Sequence, residues 1–240
     1  MLFIQIITAL IGAFYTPPDS LGTSPYKTVK MQFKPVFNQK TLVLDDKRYV
    51  TAASDTVVLS TFRFYISTIQ CVFEDGSVYA EPNSYHLIDA EKEESLSFDL
   101  KNVPVKKLRF LNFTIGVDSL ANVSGAQSGD LDPIKGMYWA WNTGYINAKI
   151  EGKSSSCKTL KNVFEFHIGG YLSPFNTMRK VQLQIKNVES DVLNIETDAH
   201  KWFSNIKLSE TNSVLLPNKM AMTVADNYAQ MFKIVETDGK

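Results

Sequence analysis

The stretch Val163-Phe164-Glu165-Phe166-His167-Ile168-Gly169-Gly170 alternates apolar and polar side chains residue by residue. Successive side chains of an extended chain point to opposite faces. Phe164, Phe166 and Ile168 therefore share one face, and Glu165 and His167 share the other. A helix would scatter the three apolar residues, whereas a half-buried strand sends them all to one core. The same period recurs elsewhere. Leu111, Phe113, Ile115 and Val117 alternate with Asn112 and Thr114. Ile146, Ala148 and Ile150 share a face within Tyr145–Gly152, and Val181, Leu183 and Ile185 alternate with Gln182 and Gln184. Val29–Phe33, Val57–Phe64, Tyr65–Phe73, Tyr85–Ile88, Ser95–Leu100 and Val192–Thr197 read as further strands.

Turn formers separate these runs, among them Asp75-Gly76, Asn102-Val103-Pro104 and Ser173-Pro174. Many short strands with polar turns, and no alternation of strand with helix, predict an all-β fold. The expected form is an antiparallel β-sandwich of Ig-like or Greek-key type. Two stretches break the pattern. Asp118–Gly136 is small and polar and reads as one long loop, a feature often functional inside a compact domain. In Met220–Phe232, Val224, Tyr228 and Met231 or Phe232 recur at helical spacing, which predicts a short C-terminal helix. With no repeat or linker, residues 28–237 read as one domain.

Composition narrows the function. The 240 residues are 44% hydrophobic and 12% aromatic, enough for a sizeable core. Twenty-five basic side chains balance 25 acidic ones, so the basic excess of a nucleic-acid binder is missing. Leu2–Tyr15 is uncharged and short of the ~20 apolar residues of a membrane span. Residues 1–19 accordingly read as a secretory signal, the alternative being a first buried strand or helix. Cys71 and Cys157 are not in metal-ligand spacing; a disulfide and two buried thiols are both open. There is no nucleophile elbow, Walker loop, HExxH or GxGxxG, so the chain reads as a binder rather than an enzyme.

Several side chains carry metal or aromatic chemistry. Imidazole is the commonest protein ligand of copper and zinc, and the chain has three histidines, His86, His167 and His200. Three unrelated histidines are the bland alternative. Met137 is a candidate soft ligand for Cu(I), although methionine is also a routine core filler. Trp139 and Trp141 end the long loop; they anchor it, stack on sugar, or undergo tryptophan redox chemistry. Asp118, Asp130 and Asp132 in the loop offer oxygen ligands for calcium without matching the EF-hand pattern; Asp is equally an ordinary turn former.

The order of these pieces resembles a known family. GDLDPIKGMYWAWNTGYINAKIEG (residues 129–152) is followed by FEFHIGGYLSPFNTMRKVQL (164–183), DAHKWF (198–203) and ADNYAQMF (225–232). This is similar to the MbnP family of bacterial periplasmic copper-binding proteins, found with methanobactin operons and as stand-alone homologues. The resemblance implies an exported β-sandwich that binds copper, expected as Cu(I). It also implies that a tryptophan is oxidised to kynurenine by a dihaem partner of the MauG/cytochrome c peroxidase type, and that copper binding depends on this. Trp139 and Trp141 match the tryptophan motif, His167 and His200 match the histidine-bearing segments, and His86 ranks third. Such a protein stores, takes up or delivers copper, with a copper importer or outer-membrane transporter as further partner. The alternative is an extracellular, calcium-stabilised module binding carbohydrate or protein; a metal-dependent hydrolase or oxidase ranks below both.

Overall fold

The computed structural model describes residues 24–141, 144–186 and 191–235. The proposed signal, residues 1–19, and the last two residues of the expected domain lie outside them. In chain order the strands begin with β1 (Tyr26–Phe37), β2 (Lys40–Thr41), β3 (Arg48–Val50) and β4 (Thr56–Phe73). Next come β5 (Val78–Ala80), β6 (Tyr85–Asp89), β7 (Ser97–Pro104) and β8 (Leu108–Ile115). A short helix α1 (Ser119–Val123) precedes β9 (Tyr138–Trp139), β10 (Gly144–Ser154), β11 (Val163–Gly169), β12 (Arg179–Gln184) and β13 (Val192–Asp198). The chain closes through β14 (Ser213–Val214), helix α2 (Lys219–Tyr228) and β15 (Phe232–Val235). None of the described helices is long and apolar enough to cross a membrane.

Two sheets face each other. The smaller runs β15-β13-β1-β2, with β7 also on β1. The larger runs β12-β8-β4-β10-β11-β14, with β3, β5 and β6 on β4 and β9 on β10. The expected sandwich is present, with mixed sheets: among the described residues every pairing is antiparallel except β1 with β13 and β11 with β14. A parallel pair needs a long crossover, and β1 and β13 stand far apart in the chain. Phe33, Phe62, Phe64, Phe113, Phe164, Phe166, Trp202 and Phe203 fill the space between the sheets.

Val57–Phe64 and Tyr65–Phe73, which alternation separates into two strands, form the single strand β4. Its phase shifts twice. Register slips opposite Glu151/Gly152 and between Ser67 and Gln70, so the inward set runs Val57, Leu59, then Phe62, Phe64, Ile66, then Ile69, Cys71, Phe73. Each bulge inserts a residue and flips the faces beyond it. The C-terminal helix ends earlier than its spacing predicts: α2 stops at Tyr228, and Phe232 opens β15. There the Phe232 ring meets Phe64 at 5.6 Å and Phe113 at 5.0 Å edge-on, a core contact that overrides local helical period.

Asp118–Gly136 is not structureless. Asp118 caps α1 by accepting from Ala121 N at 2.9 Å, and two 3-10 turns follow at Gly129–Leu131 and Pro133–Lys135. Ala121, Leu131, Met137 and Trp139 join Tyr65, Leu87, Val117, Tyr145 and Ile146 in a second apolar cluster, separate from the main core. The loop is thus a roof over part of the larger sheet's outer face.

Gly152 marks the tightest approach inside that sheet. A Cβ there would lie 2.2 Å from Val58 O and 2.8 Å from the Phe164 ring. We expect Gly152→Ala to cost about 1–3 kcal/mol through this overpacking, read as a lower urea midpoint; an unchanged midpoint would contradict the close packing of β4 on β10.

Candidate metal centre on the outer sheet face

His167 stands on the outward side of β11, opposite the buried Phe164, Phe166 and Ile168. Strand pairing sets Lys149 of β10 directly across from it, and Glu151 across from Glu165. His167 Nε2 lies 2.6 Å from Glu151 Oε1. Lys149 Nζ is 3.2 Å from the same oxygen, and Thr61 Oγ1 donates to Glu151 Oε2 at 2.9 Å. The hydrogen bond to His167 is the largest cause that pulls the Glu151 carboxyl down from 4.5 to about 2; burial opposes it, and Lys149 and Thr61 reinforce it. Glu165 completes the group. Among the described residues, Glu151, Glu165 and His167 are the one set of three His, Cys, Asp or Glu side chains whose donor atoms all lie within 4.8 Å of one another. Like charges directly across a strand pair repel; Lys149 already offsets part of this at Glu151, and a metal cation between Glu151 and Glu165 would offset the rest. One imidazole and two carboxylates are borderline-to-hard donors that suit a divalent transition metal.

The aromatic roof adjoins this group. Gly169 lies two residues along β11 from His167, hence on the same face. A Cβ at Gly169 would come within 2.7 Å of the Trp139 ring, so the indole rests on the bare glycine. Trp139 is 5% exposed and Trp141 64%, with ring centroids 5.6 Å apart at 39°. The two tryptophans therefore touch, but only one belongs to the packed roof. Arg63 of β4 clasps the loop. It donates to Lys135 O at 3.2 Å, and it pairs with Asp89 at 3.1 Å and with Glu91.

The other sequence candidates are not gathered here. His86 on β6 bonds Glu81 at 2.9 Å and stacks on Phe98 with centroids 3.6 Å apart. His200 sits in the 3-10 turn Ala199–Phe203, edge-on to Phe37 at 5.3 Å. Neither is in the group that holds His167. Met137 is fully buried in the roof cluster, where it packs. The three loop aspartates do not converge, because each is committed locally. Asp118 caps α1 and accepts from Tyr85 OH at 2.7 Å. Asp130 accepts from Leu87 N at 3.0 Å and pairs with Lys135, and Asp132 accepts from Ile134 N at 3.0 Å. Conversely, Glu151 and Glu165 were not singled out from the sequence. Glu165 shares His167's face two residues away, a legible signal; Glu151 needs the β10–β11 register.

The fold and this face define a class: a β-sandwich with a nitrogen-and-oxygen donor group beside a tryptophan pair. The chain belongs to the MbnP family, whose sequence model matches residues 26–221. The solved structure of MbnP from Methylosinus trichosporium has the same fold, with a TM-score of 0.54 at 15% identity over 74% of this chain and 77% of that one. No curated protein matches the chain.

Folding lowers the Glu151 pKa, so in the metal-free protein its ion pair contributes stability above the unfolded value of 4.5, and that contribution fades as pH falls toward about 2. Glu151→Gln removes it. Acid unfolding followed by circular dichroism should then show a shallower loss of stability across this window in the variant; an unchanged slope would count against the pair.

Proposed function

We propose that this chain is an exported copper-binding protein, and that His167 with Glu151 and Glu165 forms the heart of its copper site. The observation that carries the reading is the convergence of those three donors on the face where Trp139 packs. Family membership supplies the metal. Glu151 and His167 share a direct hydrogen bond at 2.6 Å, and a bound ion would take the place of the shared proton and engage both side chains. The donors present suit Cu(II) at capture. Holding the expected Cu(I) calls for a further nitrogen ligand. Oxidation of a tryptophan to kynurenine by a dihaem partner of the MauG/cytochrome c peroxidase type supplies one, because ring opening exposes an aniline where indole offers only an N–H donor. The chain in this reading is a copper carrier of the periplasm and the substrate of its partner. It hands copper to an importer or outer-membrane transporter.

Elemental analysis of the protein from its native host, beside a His167→Ala variant, tests the reading. We expect copper in the wild type and at least about tenfold weaker copper binding in the variant, with thermal unfolding little changed because His167 lies outside the core. Calcium alone in the wild type, or full copper affinity in a folded His167→Ala protein, overturns it.

A further inference from the structure

Lys149 sits among the donors of the candidate metal centre, although an ammonium has no lone pair with which to ligate a metal. It stands on the outward face of β10, directly across from His167 on β11 and from Arg63 on β4. Two residues along, the same face carries Thr61, Glu151 and Glu165 in one row. Glu151 Oε1 joins the two rows. It lies 2.6 Å from His167 Nε2 and 3.2 Å from Lys149 Nζ, while Thr61 donates to Glu151 Oε2 at 2.9 Å. An ion that takes the place of the proton on His167 Nε2 therefore shares an oxygen with the ammonium.

The other cations nearby are committed or screened. Arg63 pairs with Asp89 and Glu91, and Lys135 with Asp130. Lys153, the next outward residue of β10, is exposed and about 7 Å along the strand from Glu151. Lys149 remains as the cation facing Glu151. Its side chain is only 14% exposed, so solvent ions screen it weakly. Imidazole ligates in its neutral form and adds no charge. The carboxylates of Glu151 and Glu165 and the ammonium of Lys149 then leave one net negative charge for an incoming ion to balance. A singly charged ion completes that balance, and a doubly charged one overshoots it.

We infer that Lys149 is a tethered counter-cation that sets the charge preference of the centre, tilting it from divalent ions such as Zn(II) toward singly charged soft ions, the class of Cu(I). The inference rests on the metal reading above and narrows the ion that this site takes. The nitrogen and oxygen donors by themselves suit a divalent metal, and Lys149 opposes them. Coulomb repulsion grows in proportion to the charge of the ion. On a logarithmic scale of affinity, the ammonium therefore costs a divalent ion twice what it costs a monovalent one. Lys149 acts as a specificity residue, not as a ligand.

Calorimetric titration with Ag(I), an air-stable ion of the same charge as Cu(I), and with Zn(II), in chloride-free buffer, tests the inference. Wild type is compared with Lys149→Met, Lys149→Gln and Lys149→Arg. Met and Gln keep most of the stem and lose the charge, and the outward position of the side chain leaves the core intact, which circular dichroism checks. We expect Zn(II) to bind about tenfold and Ag(I) about threefold more tightly in either neutral variant, with Lys149→Arg keeping the wild-type ratio. Equal factors for the two ions, unchanged affinities, or weaker binding of Zn(II) in the neutral variants overturn the role of Lys149 and leave the metal centre standing. A ratio in Lys149→Arg that matches Lys149→Met overturns it too, since the charge would then not be the cause. Binding of neither ion by any of the four proteins removes the metal reading and this inference together.

Discussion

Both faces of β4 carry aromatic rings, and neither face can be left in water. Phe62, Phe64 and Ile66 point into the sandwich, while Tyr65 points away from it. Burying each large ring is worth about 1.5–3 kcal/mol, so the inner set demands a second sheet and the outer ring demands a cover. The second sheet, built on the parallel β1–β13 pair, meets the first demand. The loop from α1 to β9 meets the second. The outward Tyr65 and Tyr145, 5.9 Å apart, supply with Leu87, Val117 and Ile146 the apolar surface on which the loop closes.

Closing the roof has a chemical consequence. The loop carries Trp139 across the sheet to Gly169, two residues from His167, where the absence of a side chain leaves room for the indole. Arg63 holds the far side of the loop through Lys135 O while pairing with Asp89 and Glu91. On the same face, one strand over, Lys149 lies opposite both Arg63 and His167 in the pairing register. A structural clasp and the candidate metal group are therefore neighbours on adjoining strands, and the roof that protects the apolar cluster also sets the boundary of the site.

Period-two alternation was legible wherever a strand kept one phase, as in β11 and β12; in β10 a register slip between Ile146 and Ala148 sends Ile146 to the roof cluster, while Ala148 and Ile150, expected on the same face as Ile146, lie in the main core. It failed in β4, where two bulges reverse the faces; helical spacing failed at Phe232, where contacts with Phe64 and Phe113 outweigh it. His167 was legible as an outward polar residue on a buried strand, and the tryptophan motif as an unusual string. His86 and His200 carried the same chemical credentials, but their surroundings differ. One is tied to Glu81 and stacked on Phe98, the other sits edge-on to Phe37. Residue type alone cannot separate a histidine with converging donors from one that packs.

The sequence by itself determined the class of fold, the strands that keep phase, the roof loop as a distinct segment, and membership of the MbnP family. These are local properties, written in period, turn chemistry and motif. Tertiary structure alone decided that β1 and β13 run parallel, that Glu151 lies across from Glu165, that Trp139 is buried on Gly169 while Trp141 faces solvent, and that the loop aspartates cap and tether backbone. Each of these depends on which distant strands become neighbours and in what register. A one-residue slip exchanges every inward side chain for an outward one, so only the burial of the whole core selects the answer.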